Sequence, residues 1–577
     1  MPFVSTESAV WIDGIQKTFP GNITALDHFS AKLAKATVTG LIGPDGAGKS
    51  TLIRLIAGLL IPDQGRISVF GLDATQQAQK VQAQLGYMPQ RFGLYEDLTV
   101  QENLDLYADL QGLPVARRAE RYQSLLPMTG LQPFTARLAG RLSGGMKQKL
   151  GLACVLVGNP RLLLLDEPTV GVDPVSRREL WEIIYSQVKS HGLTVLLSTA
   201  YLDEAQRCQE VILIHQGRLL GQAPPEQFSQ QMTGRVYLAR ASGLHKRKLQ
   251  RQLAAHPEIL DTVIQGDWVR LVTAQTSSPK LEDHKHAELV PAPPRLEDYF
   301  VATLAQHVTA SSSAELILPK RPQTDDGKPV IMVEQLKRRF GDFYAVKGIS
   351  FEVRRGEVFG LLGANGAGKT TTFRMLCGLL PVSEGQALVA GVDMRKAPAK
   401  ARARLGYMAQ KFSLYGQLSA GENLKFFSGV YGLVKQERQQ RIGWAVEAFE
   451  LAPYLRQRAI DLPLGYKQRL AMACALLHQP EILFLDEPTS GVDPLARREF
   501  WMRINALAEQ GVTVLVTTHF MEEAEYCDRI VIMQAGTILA AGTPEAIRQH
   551  ARTPDLPHPT LEDAFIRLLE TETPAAN

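Results

Sequence analysis

The chain has 577 residues, with 63 basic and 59 acidic side chains, a net charge of +4, 45% hydrophobic and 21% charged residues. That is the make-up of a globular chain with room for about four folded units. The near-balance of charge excludes a broad electrostatic grip on nucleic acid. Cys154, Cys208, Cys377, Cys474 and Cys527 form no CxxC pair, which argues against zinc sites and disulfide frameworks and fits a reducing compartment. The start, MPFVSTESAVW, has no basic segment followed by an apolar run, so no signal peptide is expected. No apolar stretch approaches the roughly 18 residues that span a bilayer. Any link to a membrane is therefore expected to come through a partner.

In chain order, the first strong signal is GLIGPDGAGKST at 40–51. An apolar strand runs into Gly43-Pro-Asp45-Gly46-Ala-Gly48-Lys49-Ser50-Thr51, and the helix-forming run STLIRLIAGLL follows. Glycines let the backbone curl so that its N–H groups face phosphate oxygens, and the helix adds its positive N-terminus. Lys49 is placed to reach the β- and γ-phosphates and the Ser50 hydroxyl to ligate Mg²⁺. YMPQ (87–90), LSGGMKQ (142–148), LLLLDEP (162–168) and STAYLDEA (198–205) come next. LLLLDEP is the composition of a buried parallel strand that delivers two acids at its carboxyl end, where ligands sit in such sheets. Asp166 is expected to hold Mg²⁺ and Glu167 to orient an attacking water for in-line phosphoryl transfer.

Residues 229–306 break the pattern. VYLA (236–239), LHKRKLQRQLAAH (244–256) and WVRLVTA (268–274) predict a small α+β module. Residues 307–328, rich in Ser, Pro and Asp, read as a flexible linker.

Residues 329–550 then repeat residues 1–228. GLLGANGAGKTT (360–371) supplies Gly363, Asn365, Gly366, Gly368, Lys369, Thr370 and Thr371. Lys49 and Lys369 lie 320 residues apart, as do YMPQ and YMAQ (407–410), and LLLLDEP and ILFLDEP (482–488). The period is a whole domain, so a duplication is expected and solenoids are excluded. Asp486 and Glu487 take the parts of Asp166 and Glu167. The tails echo each other as well, PRLEDYF (294–300) and PTLEDAF (559–565), with a tail at 551–577 closing the chain. Alternating apolar strands and helical segments predict an α/β fold with a buried, largely parallel sheet in each half.

These motifs together resemble the ATP-binding subunits of ABC transporters, over roughly 1–228 and 329–550. LSGGMKQ looks like the family signature, so the resemblance implies that Ser143, Gly144, Gly145 and Gln148 contact ATP. Gln90 and Gln410 resemble the Q-loop glutamine, which implies contact with nucleotide and Mg²⁺. GVD (171–173, 491–493) resembles the D-loop, and His519, after TVLVTT, resembles the switch histidine. Phe19 and Phe340 stand where the family stacks an aromatic ring on adenine, although an aromatic in such a position also serves as core. The implied fold is two P-loop NTPase domains, each with a helical signature subdomain, separated by the small module. The implied cofactors are ATP and Mg²⁺, with Ser50, Asp166, Gln90, Thr370, Asp486 and Gln410 around the metal. LYEDLTVQEN (94–103) and LYGQLS (414–419) resemble the drug-exporter branch that pairs with ABC-2-type permeases. That implies a peripheral ATPase of multidrug efflux at the cytoplasmic face of a bacterial inner membrane.

The halves also differ. LPLGYKQ (462–468) replaces LSGGMKQ, with Pro463 for Ser143 and Leu464 for Gly144. Proline lacks both hydroxyl and N–H, and leucine adds bulk where a phosphate must come near. Ala200 stands where His519 does. In the family each ATP lies between the P-loop of one domain and the signature of the other, so both losses fall on the site of Lys49. The site of Lys369, Asp486, Glu487, Gln410 and His519, closed by Ser143, Gly144 and Gly145, is complete. Catalysis is expected from Glu487, His519 and Gln410, with Glu167 the weaker base. A ribosome-binding tandem ATPase would carry a basic helical linker and two intact signatures; a DNA-repair ATPase would carry zinc cysteines or long heptads. A tandem sugar importer is the nearest rival in mechanism.

Overall fold

The computed structural model describes residues 8–90, 93–276, 278–279, 287–305, 327–410, 414–557 and 559–572. Nearly all of the expected linker at 307–328 lies outside the described residues, as does the end of the tail. The chain divides into two compact units. One comprises residues 1–233 with 294–301, the other 234–293 with 302–577.

In the first unit a six-stranded sheet runs in the order Arg218–Ala223, Glu210–His215, Val38–Ile42, Thr194–Thr199, Leu162–Asp166, Leu85–Met88. All neighbours are parallel except the first pair. Every residue of Val38–Ile42, Leu162–Asp166 and Thr194–Thr199 is buried. That is why LLLLD reads as a continuous apolar run: both faces of a parallel strand are covered. A second, antiparallel sheet is built on the long hairpin Ser8–Phe19 and Ile23–Ala34, with Gln64–Val69 on its other side. Ile12, Ile15, Phe29 and Leu33 from this hairpin pack with Leu52, Ile56, Leu164 and Leu196 in one core.

The helical part of the unit begins at Val100–Leu110. Thr99 caps it reciprocally with Glu102, the capping box that T-x-x-E encodes. Val115–Thr129 follows and ends at Gly130 in a left-handed conformation. Gly144–Leu156 then starts directly at the signature residues.

The second unit repeats this plan. Its six-stranded sheet is ordered Leu405–Met408, Ile482–Asp486, Thr513–Thr518, Val358–Gly363, Arg529–Gln534, Thr537–Gly542. Ser419 and Glu422 form the matching capping box before Ala420–Val430. Leu464–Leu476 takes the place of the signature helix.

The inserted segment folds as an antiparallel four-stranded sheet in the order Ile259–Gln265, Trp268–Thr273, Val236–Ala241, Ala287–Pro291. The helix Lys246–Ala254 covers one face, and Tyr237, Leu249, Leu253, Val269 and Leu271 form its core. Residues 234–293 group with the second half of the chain, not with the first half that precedes them. Residues 294–301 return to the first unit, where the Tyr299 ring lies 5.0 Å from that of Phe228, tilted by 38°.

Candidate active site

In both units the edge of the parallel sheet gathers the predicted residues. Lys49 opens the helix Lys49–Ile56, and Gly48 before it has φ 106° with no side-chain cap. A Cβ at Gly48 would collide with the carbonyl of Ala25, and one at Gly43 with the carbonyl of Ile214. Only glycine fits, so the loop's N–H groups stay clear for an anion at a helix N-terminus. Gly368 repeats this at φ 102°, with the carbonyl of Ala345 2.7 Å from where its Cβ would be. Asp45, Gly46 and their counterparts Asn365, Gly366 lie on the same two loops, and Ser50, Thr51, Thr370 and Thr371 in the first turn of the helices that follow.

Lys49 is buried, and its Nζ donates to the carbonyls of Gly43 at 2.8 Å and Pro44 at 3.1 Å. Lys369 Nζ donates to Gly363 at 2.6 Å and Ala364 at 3.1 Å. Across the loop the Glu167 carboxylate lies 3.9 Å from Lys49 Nζ. Gln90 Nε2 donates to Glu167 Oε2 at 2.6 Å, and Gln410 Nε2 to Glu487 Oε2 at 2.6 Å. The Q-loop amide and the acid after the strand therefore meet in both units.

Several parts of the site had no motif to announce them. Glu167 and Glu487 hold left-handed backbone, φ 52° and 47°, a strained choice for glutamate that turns each carboxylate off its strand. The N–H of Glu167 donates to the carbonyl of Ser198 at 3.0 Å, and that of Glu487 to Thr517 at 3.0 Å. Ser198 Oγ donates to Asp166 Oδ1 at 2.6 Å, and Thr517 Oγ1 donates to Asp486. Parallel register pairs these residues, Asp166 with Ser198 and Asp486 with Thr517. A hydroxyl near the end of each neighbouring apolar strand was the available signal. Deeper still, Glu204 and Glu523 are fully buried and accept from Thr199 at 2.7 Å and Thr518 at 2.6 Å.

Where the halves differ, electrostatics differ. His519 is buried, with Nδ1 3.3 Å from Glu487 Oε2. Burial works against the Glu487 carboxylate, but the neighbouring His519 and Lys369, with the Gln410 amide, outweigh it and hold the carboxyl below its ordinary range. Ala200 gives Glu167 no such partner. There burial prevails over the attraction of Lys49, and the carboxyl is pushed up.

The signature helix shows the same asymmetry. Ser143 caps Gly144–Leu156, accepting from the N–H of Met146 at 3.2 Å, and is exposed with Gly144. A Cβ at Gly145 would collide with Ser176. In the other unit Pro463 starts Leu464–Leu476 with no side-chain cap. The helix survives, because proline suits a helix start, but the hydroxyl does not. Gln148 sits half-buried on the signature helix.

Phe340 is 46% exposed and Phe19 half-buried, so neither ring belongs to the core. Arg338 lies 4.5 Å from the Phe340 centroid and Lys17 5.8 Å from that of Phe19.

Among the described residues no cluster of three or more His, Cys, Asp or Glu forms a metal cage. Magnesium that arrives with phosphates needs none: it takes one or two protein oxygens and keeps its waters. Ser50 with Asp166, and Thr370 with Asp486, supply a hydroxyl and a carboxylate of that kind.

Comparison with known proteins decides the family. The ABC transporter family model matches residues 26–170 and again 346–490. The chain belongs to the ABC transporter ATP-binding proteins. It is 50% identical over 570 residues to the "Probable multidrug ABC transporter ATP-binding protein YbhF" of Escherichia coli, covering 98% of both chains. The linearmycin resistance ATP-binding protein LnrL of Bacillus subtilis is 41% identical over 215 residues, 37% of this chain and 69% of that protein. The Nod factor export ATP-binding protein I of Ralstonia nicotianae is 39% identical over 223 residues, 38% of this chain and 70% of that protein. As an ABC ATPase the chain binds ATP, and ATP-binding subunits of this family work with transmembrane partners. Among the described residues no helix is long and apolar enough to cross a membrane.

Two predictions follow from the geometry. Gly48→Ala should halve the number of nucleotides bound per chain while the chain remains folded, as read by fluorescent-nucleotide titration beside circular dichroism; an unchanged stoichiometry would refute the steric reading. Burial pushes the Glu523 carboxyl up to about 7, from an ordinary 4.5, with Thr518 and Arg497 opposing. Its contribution to stability is full below 4.5 and is lost as pH rises through about 7. Glu523→Gln should therefore flatten the fall in Tm across that window; a pH–Tm profile parallel to the wild type contradicts this.

Proposed function

We propose that the chain is the ATP-hydrolysing subunit of a bacterial efflux transporter for drugs or other small molecules. It would sit peripherally on the cytoplasmic face of the inner membrane, driving separate ABC-2-type permease subunits. The name of its full-length relative in Escherichia coli supports the cargo class. Exposed apolar side chains in the second unit support a docked partner: Tyr415, Phe426, Val430, Val434 and Ile460 are all exposed, with the rings of Tyr415 and Phe426 4.6 Å apart. The first unit exposes Tyr95, Leu110, Val115 and Leu138 at corresponding elements. Apolar groups gathered this way mark interaction surfaces on soluble domains.

We further propose that the two ATP sites are unequal. One observation carries this reading: two closely matched Gln–Glu–Lys constellations, of which only the second has a buried imidazole against its glutamate. In the proposed cycle Lys369 and the loop N–H groups bind the phosphates. Thr370, Asp486 and Gln410 would hold Mg²⁺, which neutralises phosphate charge. Glu487, kept ionised beside His519, orients the water, and Ser143, Gly144, Gly145 and Gln148 of the intact signature close the site. Phe340 stacks on the base. The first site keeps Gly43, Gly46, Gly48, Lys49, Ser50, Thr51, Asp166, Gln90 and Phe19, so it binds ATP. It lacks the imidazole at Ala200 and is closed by Pro463 and Leu464. Phosphoryl transfer depends on donors placed around the developing charge, and each lost donor costs about 10²–10³ in rate.

Glu487→Gln should thus nearly abolish steady-state ATPase activity of the assembled transporter, whereas Glu167→Gln should lower it only about two- to four-fold. Equal losses from both variants would show the sites to be catalytically equivalent.

A further inference from the structure

The inserted module follows the first ATPase half in sequence yet belongs to the second in space. Its helix Lys246–Ala254 lies against the segment that follows the switch histidine. Lys246 Nζ donates to the carbonyls of Cys527 at 2.9 Å and Glu525 at 3.3 Å, and to its own module's Gly266 at 3.1 Å. Those carbonyls follow the one-turn helix Met521–Ala524, which begins two residues after His519. An ammonium at the carboxyl end of a helix is favourably placed for both hydrogen bonding and the helix dipole.

Arg247, buried, pairs with Asp528, and His245 Nε2 lies 3.5 Å from the same carboxylate. Asp528 Oδ2 also accepts from the N–H of Val358 at 2.9 Å. Val358 opens the strand Val358–Gly363 that runs into the phosphate loop. One side chain therefore joins the module, the switch segment and the phosphate-loop strand. Further along, Asn505 Nδ2 donates to Gln250 at 3.0 Å, Arg251 pairs with Glu509 at 2.7 Å and Arg498 with Asp261.

The duplicated half provides an internal control. Gln209 occupies the place of Asp528, and its Oε1 accepts from the N–H of Val38 at 2.7 Å. The link to the phosphate-loop strand is thus kept in the first unit with a neutral amide. Gln206, Tyr185 and Lys189 stand where the second half has Glu525, Asn505 and Glu509. The second half alone carries the acids that pair with Arg247 and Arg251, while Lys246 reaches main-chain carbonyls of the same segment. A module tethered only by its linker would not need them.

We propose that the module is a built-in positioning element of the second ATP site. Through Lys246 and Arg247 it fixes the segment Glu525–Asp528, and so the placement of His519 against Glu487. Lys246 bonds to main-chain carbonyls and Arg247 to the Asp528 carboxylate; they are positioning residues, and their effect falls on turnover, not on ATP affinity. The idea rests on the second site being the fast one.

The test uses the full-length chain in its transporter complex, in the Glu167→Gln background so that the second site is read. Lys246→Met should lower kcat about 5- to 20-fold with KM for ATP within about two-fold, and Lys246→Arg should recover most of the loss. Should Lys246→Met fail to fold, the distal pair decides. Asp261→Arg and Arg498→Asp should each lower kcat, and their combination should restore it. Unchanged kcat in the folded Lys246→Met chain, a rise in KM matching the loss, or no recovery in the charge-swapped double variant would overturn the proposal. Failure of the site asymmetry shows separately, as equal losses from Glu167→Gln and Glu487→Gln.

Discussion

Each half of the molecule depends on accommodating two adjacent, buried carboxyl groups at the end of a parallel strand. Asp486 and Glu487 are both buried, and burial raises the Asp486 carboxyl above its ordinary range. Carboxylates in such a place cost several kcal/mol unless charge or hydrogen bonds compensate. The rest of the site supplies the compensation. Lys369, Gln410 and His519 face Glu487, and the Thr517 hydroxyl serves Asp486. The glycine loop must then approach without Cβ atoms, and the sheet must be covered on both faces to exclude water. The fold is largely the consequence of meeting these demands at one edge.

Duplication lets the two halves be compared as if one were a variant of the other. Gly363, Lys369, Asp486, Glu487 and Gln410 have counterparts in the first half with nearly the same bond lengths. The least conservative substitutions fall at the switch position and the signature, Ala200 for His519, Pro463 for Ser143 and Leu464 for Gly144, while the loop glycines and lysines are kept. The module adds a second asymmetry: acids at Asp528 and Glu509, absent from the first half, meet a basic helix.

Much of this was legible in the sequence. GxxxxGK[ST] at Lys49 and Lys369 encodes a steric and electrostatic requirement with few alternatives. LLLLD and ILFLD could hardly be anything but buried strands, because no exposed segment tolerates such runs. The T-x-x-E and S-x-x-E caps were equally readable. The rest was hidden because it depends on register or on partners far apart in the chain. The left-handed glutamates carry no compositional mark. Ser198 and Thr517 become meaningful only once the strands are aligned. Residues 234–293 follow the first half, and nothing local says that they fold onto the second; only the mismatch of Gln206 and Gln209 with Glu525 and Asp528 hinted at it. Phe19 and Phe340 could be read as core or as stacking rings, and exposure, which sequence does not give, removes the core reading.

The central claim, that the two sites bind alike and hydrolyse unlike, is open to a direct measurement. The assembled transporter would be incubated with 8-azido-ATP labelled on either the α- or the γ-phosphate, photolysed after several turnovers, and its peptides mapped. The account predicts that peptides of the first half retain both labels, whereas those of the second retain the α label and have lost the γ. Loss of the γ label at equal rates from both halves would contradict it.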